Sequence, residues 1–490
     1  MGPLQGIAWL YREFGIQSVW ATGRDAWFII LARSFRMFAY GTTVLILALF
    51  FAELNFTDTQ IGLFMTFTMA GDVVLGTLLT IVADRIGRRK IILGGSILMI
   101  LSGMIFALFE NFWILLFAAV VGVISVSGGD FGPFRAIEES MLSQITTADT
   151  RNDVLSWYVT AASLGSCVGT EASGRIIQFL IEKWSTIDAY HCTFWIYSAM
   201  GLVNFGFVLC LSDNCEAREY TPVAEEETEE QEHFLGETGE PKVSSDDIRV
   251  KEAPKKKSQW AIRALFADIS IETRHIMYKL WFLLGIDTLA DGMVPYTLTN
   301  YYIDRKFHLP KSTLGDITAV SYFLASLSTI FAAPLARRIG LLNTMVFTHV
   351  PSSASVLFFP LPSSLWMTVL LLFIRTGLNN MDQAPRSAFI AAAVKPHERT
   401  AVLGITSMIR TLTGTCGPTL TGIFAGNDSF WIAFVAAGIL RLGYDFGLWA
   451  MFVNLKLHQH EENKGDGDAA GVRRKGDEEE VREMKEMNKK

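Results

Sequence analysis

Ala83-Asp84-Arg85-Ile86-Gly87-Arg88-Arg89-Lys90 sets four cationic side chains and one carboxylate between two long apolar runs. The runs on either side, 60–82 and 91–109, each approach the roughly 20 residues that carry a helix across a bilayer. Lys and Arg concentrate in cytoplasmic loops, so the octapeptide reads as an inner connection between two membrane helices and orients both of them.

Outward from this loop the same pattern continues. Apolar runs fall at 29–52, 60–82, 91–109, 112–131, 153–180, 192–211, 278–302, 313–335, 341–361, 364–383, 400–424 and 430–453, which gives twelve spans. The outer connections at 53–58, 110–111, 362–363 and 426–428 hold no Lys or Arg, whereas Arg151, Arg337, Arg338, Lys395 and Arg399 fall on inner ones. Both termini are therefore expected in the cytoplasm. Arg305, Lys306 and Lys311 dissent from an outer loop, too weakly to invert twelve helices.

Of 490 residues 50% are hydrophobic and 19% charged, the composition of a polytopic membrane protein rather than a soluble enzyme. The net charge of −7 reflects acidic segments outside the spans and points to no nucleic-acid partner. The five cysteines are scattered, without disulfide framework or metal spacing. The expected organisation is a cytoplasmic segment at 1–28, a six-helix bundle at 29–211, a disordered cytoplasmic linker at 212–275, a second bundle at 276–455 and a charged tail at 456–490. The linker carries Glu225-Glu226-Glu227-Thr228-Glu229-Glu230 and later Lys255-Lys256-Lys257, too polar to pack a core. Residues 260–266 fit either a short surface helix or the end of that linker.

The two halves repeat one another. Asp130-Phe-Gly-Pro133-Phe-Arg135 before Arg151 echoes Asp382-Gln-Ala-Pro385-Arg386 before Arg399. Ala83-Asp84-Arg85-Ile86-Gly87 echoes Ala336-Arg337-Arg338-Ile339-Gly340, and Gly165-Ser166-Cys167 through Gly174 echoes Gly414-Thr415-Cys416 through Gly422, all at offsets near 250 residues. A duplicated six-helix unit with parallel repeats places a substrate site near the midplane between the halves.

The D-R-x-G-R-R-K spelling between spans 2 and 3, with this duplication, resembles the signature of the major facilitator superfamily of transporters. The resemblance covers almost all of the membrane-embedded chain and includes Arg33-Ser-Phe-Arg36-Met-Phe-Ala-Tyr40-Gly41 and Met381-Asp382-Gln-Ala-Pro385-Arg386, which look like a branch with bacterial and fungal members. It implies an all-α fold of twelve helices in two six-helix bundles. It also implies a conformational latch formed by Asp84, Arg85, Gly87 and Arg88, with Arg135 as the partner of Asp84. A plain topology signal is the alternative reading of the same loop. Thr80 stands where the signature has Gly. The 165–174 stretch looks like the family's antiporter motif, with Thr170 for Pro and Ser173 for Gly, and reads equally as small-residue helix packing.

A charge at mid-bilayer costs about 2.5–3.5 kcal/mol on insertion scales, so charges within spans are functional candidates. Counting along each span puts Asp72, Asp287, Asp291, Arg375, Arg410 and Arg441 near the middle, Arg33, Arg36, Asp130, Asp382 and Arg386 toward the cytoplasm, and Glu171 toward the outside. Spans 3, 6 and 9 contain no Asp, Glu, Lys or Arg, in keeping with the peripheral place that the resemblance implies for them. Asp287 and Asp291 share a helix face, as do Arg441 and Asp445. The latter reads as a self-neutralising pair. Asp72, Asp287, Asp291, Arg375 and Arg410 are candidates for substrate or proton handling, with interhelical polar locks as the alternative.

These readings give a secondary transporter of a small organic solute, coupled to protons, working by alternating access as a monomer in the plasma membrane. No P-loop, cofactor motif, metal cluster or nucleophile–base set is present, so neither an ATP-driven pump nor an enzyme is expected. A drug or toxin efflux antiporter and a non-transporting sensor built on the fold are the alternatives.

Overall fold

The computed structural model describes residues 16–122, 124, 133–216, 270–395 and 398–452. Expectations resting on 1–15, Asp130, the acidic linker with its 260–266 segment and the charged tail lie outside those residues. The first half contains α1 (Ile16–Thr22), α2 (Arg24–Glu53), α3 (Asp58–Ile86), α4 (Arg88–Leu108), α5 (Phe112–Gly122), α6 (Pro133–Ile145), α7 (Ala148–Ile181) and α8 (Thr186–Leu209). The second contains α9 (Ile271–Met293), α10 (Tyr296–Phe307), α11 (Lys311–Ile339), α12 (Leu341–Phe358), α13 (Leu365–Asn379), α14 (Gln383–Ala393), α15 (Arg399–Gly426) and α16 (Phe430–Phe452). Among these, α2, α3 to Thr80, α4, α8, α11 and α16 are long and apolar enough to cross a membrane on length and composition alone. The twelve-span, all-helical plan is the one the chain adopts, with span 4 made of α5 and α6, span 7 of α9 and α10, and span 10 of α13 and α14.

The composite spans 7 and 10 correct the expectation of continuous runs at 278–302 and 364–383, while residues 123 and 125–132 of span 4 lie outside the described residues. In span 7 the cause is Pro295, which has no N–H and disfavours helical backbone in the residue before it. Val294 accordingly leaves the helix at φ −126° and ψ 49°, and α10 starts afresh after Pro295. In span 10 a short 3-10 turn, Asn380–Asp382, lies between α13 and α14, just ahead of Pro385.

Spans 2 and 3 reverse direction at a single residue, Gly87, with φ +111°, and spans 8 and 9 reverse at Gly340, with φ +88°. A side chain at either position would be strained, so the repeated glycine is what permits so short a junction. Each half is drawn together by backbone contact along its small-residue stripe. A Cβ on Gly169 would stand 2.1 Å from the Phe38 carbonyl, fixing the crossing of α7 on α2, and one on Gly417 would stand 2.2 Å from the Gly292 carbonyl carbon, fixing α15 on α9. Ser166 and Ser173 donate to the carbonyls of Met37 and Thr42 along the first crossing. The glycine-rich stretches thus act in helix packing.

The face that carries the chain ends is called here the terminal face, and the opposite one the far face. The halves meet along two seams near the far face, related by the internal repeat. In one, Gly62 of α3 lies against Pro418 and Gly422 of α15; in the other, Gly174 of α7 lies against Gly315 of α11. Thr419 donates to Thr66 through its backbone N–H at 3.1 Å and its hydroxyl at 2.7 Å, deeper along the first seam. At the rim Arg305 bridges Asp58 and Asp428 at 2.7 and 3.2 Å, and Arg175 bridges Glu171 and Asp316 at 2.5 and 3.1 Å. Tyr322 and Tyr40 hydroxyls, 3.1 Å apart, join the halves at greater depth.

Candidate functional site

The second half encloses a polar cluster contributed by spans 7, 9, 10 and 12. Arg441 of α16, fully buried, donates to Asp291 of α9, to Asn379 of α13 and, at 2.8 Å, to His349 Nε2 of α12. The other imidazole nitrogen, Nδ1, lies 2.6 Å from Asp445 Oδ1, and Ser353 donates to the second Asp445 oxygen at 2.8 Å. A guanidinium can only donate, so Nε2 is the acceptor and the ring proton sits on Nδ1, pointing at Asp445. Arg386 of α14 pairs with Asp382 one turn earlier and approaches Asp287 to 3.6 Å.

Three expectations change here. Arg441 and Asp445 do not neutralise each other: they share a helix face, but each is held by side chains from neighbouring spans. Asp287 and Asp291 are not an isolated acidic pair, because Asp291 is bound by Arg441 while Asp287 faces Arg386 and His349, the latter at 3.7 Å. Span 9 is not a bare peripheral helix, since His349, Ser352 and Ser353 all enter the cluster.

Two buried carboxylates stand apart. Both oxygens of Asp287 and both of Asp72 lack a hydrogen-bond partner among the described residues. Burial of a charge without hydrogen bonds is costly, so such a group is a place to take up a proton or a cationic moiety. Arg410 also has its Nε buried without a partner, and it lies within electrostatic reach of Arg386, Asp287 and Asp291. Arg375 is otherwise occupied. It donates to the Val294 carbonyl at 2.5 Å and to Thr299 at 3.3 Å, taking up the backbone group that the break in span 7 leaves open.

The first half holds a smaller cluster. Arg36 grips both oxygens of Glu138 at 2.9 and 2.7 Å and touches Asn204 at 3.4 Å. Tyr158 donates to Glu138 at 2.7 Å and accepts from Arg33 at 2.8 Å, whose guanidinium lies 4.3 Å from the centre of the tyrosine ring. Glu138, Tyr158, Asn204 and His349 were not singled out by sequence reasoning. Glu138 sits one turn after Arg135 in a polar stretch that reads as loop, and His349 escaped a search limited to Asp, Glu, Lys and Arg. The signal that marks His349 is its spacing: Ser352 and Ser353 follow at i+3 and i+4, giving an otherwise apolar span one polar face.

The loop around Gly87 is anchored within its own half. Glu216 accepts from the backbone N–H groups of Arg88 at 2.7 Å and Arg89 at 3.3 Å, so a carboxylate caps the positive start of α4. Arg88 donates to Gln144 at 2.9 Å, Arg85 is exposed, and Arg135 pairs with Glu139 at 2.6 Å. The Asp84 side chain lies outside the described residues, so its pairing with Arg135 stays an expectation.

Comparison with known proteins gives one consistent result. The sequence profile described as Major Facilitator Superfamily matches residues 29–271 and 280–484. An uncharacterized membrane protein of Saccharomyces cerevisiae, YJR124C, is 29% identical over 427 residues, spanning 86% of this chain and 92% of its own. The nucleoside transporter NupG superposes with a TM-score of 0.64 at 14% identity, covering 88% of this chain and all of NupG. The E. coli xylose transporter XylE, in an inward open conformation, superposes with a TM-score of 0.61 at 13% identity, covering 89% of this chain and 98% of XylE. At such identities these two structures share the fold with this chain.

Proposed function

The chain belongs to the major facilitator superfamily, and from that premise we propose a proton-coupled carrier that moves a small polar organic solute by alternating access. A membrane transporter rather than an enzyme is what its family makes it; the cargo, the coupling and the membrane are the further reading. Both termini face the cytoplasm in this reading, the membrane is the plasma membrane, and the protein acts as a monomer. The observation that carries it is the pair of buried carboxylates without a hydrogen-bond partner among the described residues, Asp72 in span 2 and Asp287 in span 7, set in opposite halves. In this reading the closed far-face seams bar that side, and access to these groups comes from the terminal face. Opening the seams and closing the opposite side exposes the same groups to the other compartment. Loop 84–90 with Arg135 supplies the latch for that second state, and Asp287, Asp291 and Arg410 provide charges of both signs for a zwitterionic or amine-bearing solute.

The test is reconstitution of the full chain in proteoliposomes with an imposed pH gradient and an isotopically labelled extract of cellular metabolites. Solutes that accumulate only with protein and gradient identify the cargo. Asp287→Asn should abolish accumulation while leaving part of the solute exchange. Binding without flux would make the protein a sensor, outward movement of cytotoxic cations an exporter, and gradient-independent accumulation would remove the proton from the reading.

A further inference from the structure

We propose that His349, on span 9, is the group that carries the coupling proton, and that Asp287 is the anion its protonated form turns to. The inference rests on the proton-coupled reading above and names a residue which that reading does not use. It stands on geometry. His349 is 1% exposed and held at both ring nitrogens, with Nδ1 facing Asp445 and Nε2 accepting from Arg441. The only lone pair through which this ring can take a proton is therefore the one Arg441 now occupies.

Protonation at Nε2 turns that acceptor into a donor and makes the ring a cation. The hydrogen bond from Arg441 then breaks, since two donors cannot share it, and cation repels cation. Arg441 has other acceptors in Asp291 and Asn379, so it is not stranded. The new Nε2–H has one vacant acceptor nearby: Asp287 Oδ1, 3.7 Å away, with neither carboxylate oxygen hydrogen-bonded among the described residues. One proton is gained, one hydrogen bond is lost, and one ion pair forms inside the same shell. An unpartnered acid facing a histidine whose exchangeable site is already taken is the arrangement a two-state proton switch needs.

The charged and titratable groups of the surrounding cluster come from four further spans. Span 7 supplies Asp287 and Asp291; span 10 supplies Arg375, Asp382 and Arg386; span 11 supplies Arg410; span 12 supplies Arg441, Tyr444 and Asp445. With His349 neutral the four aspartates and four arginines balance, so the imidazole proton is the one that leaves the shell with a net charge. A gain at Asp287 acts on span 7, whose second segment, α10, carries Tyr301 and Arg305. Both bind Asp58 of the other half at 2.7 Å. Protonation state and far-face closure are thus connected through a single span, across the break at Pro295.

The experiment uses the full chain in lipid nanodiscs with nitrogen-15 histidine, following ring signals between about pH 5 and about pH 8. One signal, missing in His349→Gln and displaced in Asp445→Asn, should show the Nδ1–H form at high pH and the doubly protonated ring at low pH. In parallel, spin labels at Trp184 and Ser363, exposed on the far face of opposite halves, report closure. The label separation should shift with pH in the native sequence and lose that shift in both His349→Gln and Asp287→Asn. A His349 ring that keeps one neutral form throughout, or a separation whose pH response survives His349→Gln, overturns the inference while leaving flux untouched. A titrating His349 in a protein that transports nothing would uphold the switch and overturn the carrier.

Discussion

Replacing Gly62 by Ala should shift the protein away from the conformation seen here without unfolding it. A Cβ built on Gly62 lies 2.4 Å from the Pro418 carbonyl oxygen and 2.8 Å from Gly422 Cα, both backbone atoms of the opposite half. Ordinary carbon contacts begin near 3.4 Å, so spans 2 and 11 would have to part by several tenths of an ångström or more. Backbone cannot swing aside as a side chain does, and overpacking of this kind costs about 1–3 kcal/mol. The cost arises only while the seam is closed. It therefore changes the ratio of closed to open far face by roughly 5- to 150-fold rather than the stability of each half. Gly41→Ala is the matched control, because its Cβ would meet the Ser166 carbonyl at 2.4 Å within one half and so burden both conformations equally.

The assay is the labelling rate of a single cysteine at Thr419, which hydrogen-bonds Thr66 across the seam, by a membrane-impermeant maleimide applied at the far face. Gly62→Ala should raise the rate by up to a factor in that range, and Gly41→Ala should lower the melting temperature without raising the rate. Equal labelling of Gly62→Ala and native protein, or a lowered melting temperature without faster labelling, would show that the seam is a fixed part of the fold rather than one half of a moving contact.

Arg441→Met leaves Asp291 and Asn379, both half-buried, without their donor. Since the Asp291 side chain is 37% exposed, the loss should fall below the roughly 3–5 kcal/mol of a fully buried pair; thermal unfolding should show it, and adding Asp291→Asn should recover most of it. Asp84→Asn should slow or abolish transport while leaving folded protein in the membrane, and normal flux would reduce the loop to a topology signal. Burial pushes the Cys215 thiol up to about 12, with Asp25 adding to the shift, so its thiolate is scarce until the pH approaches that value. In alkylation at neutral pH followed by mass mapping, exposed Cys210 should react and Cys215 should not, and modification of Cys215 at a comparable rate would mean that the segment after α8 opens readily.

Spans, loops and duplication were legible because each is written in a local signal: apolar length, cation-bearing loops and glycine at fixed offsets. The breaks in spans 7 and 10 were less so, since Pro295 and Pro385 lie inside or beside runs whose hydropathy hardly changes, and a bilayer-length count passes over them. Partnerships within the cluster were least legible. Asp287 and Asp291 read as a like-charged pair because helix periodicity relates residues of one span, whereas Arg441, Arg386 and His349 reach them from spans 12, 10 and 9, which only packing brings together. A buried histidine is also invisible to any search for permanent charge.

The duplication gives those partnerships a further meaning. Arg36 in span 1 and Asp287 in span 7 occupy matching places about 250 residues apart, as do, nearly, Glu138 on α6 and Arg386 on α14. Each half therefore joins the first span of its bundle to the fourth through one acid and one base, with the signs exchanged. In the first half the joint is closed by two hydrogen bonds, Arg36 to both Glu138 oxygens, and Tyr158 adds a third. In the second half the corresponding ions stop at 3.6 Å, Arg386 is already committed to Asp382, and Asp287 keeps all its acceptor capacity. A bidentate pair is saturated and resists a newcomer, whereas an unsaturated one can accept a proton, a histidine or the amine of a solute without first breaking a bond. The same inherited joint is thus saturated in the first half and unsaturated in the second, which is why the proposed switch lies at Asp287 rather than at Glu138.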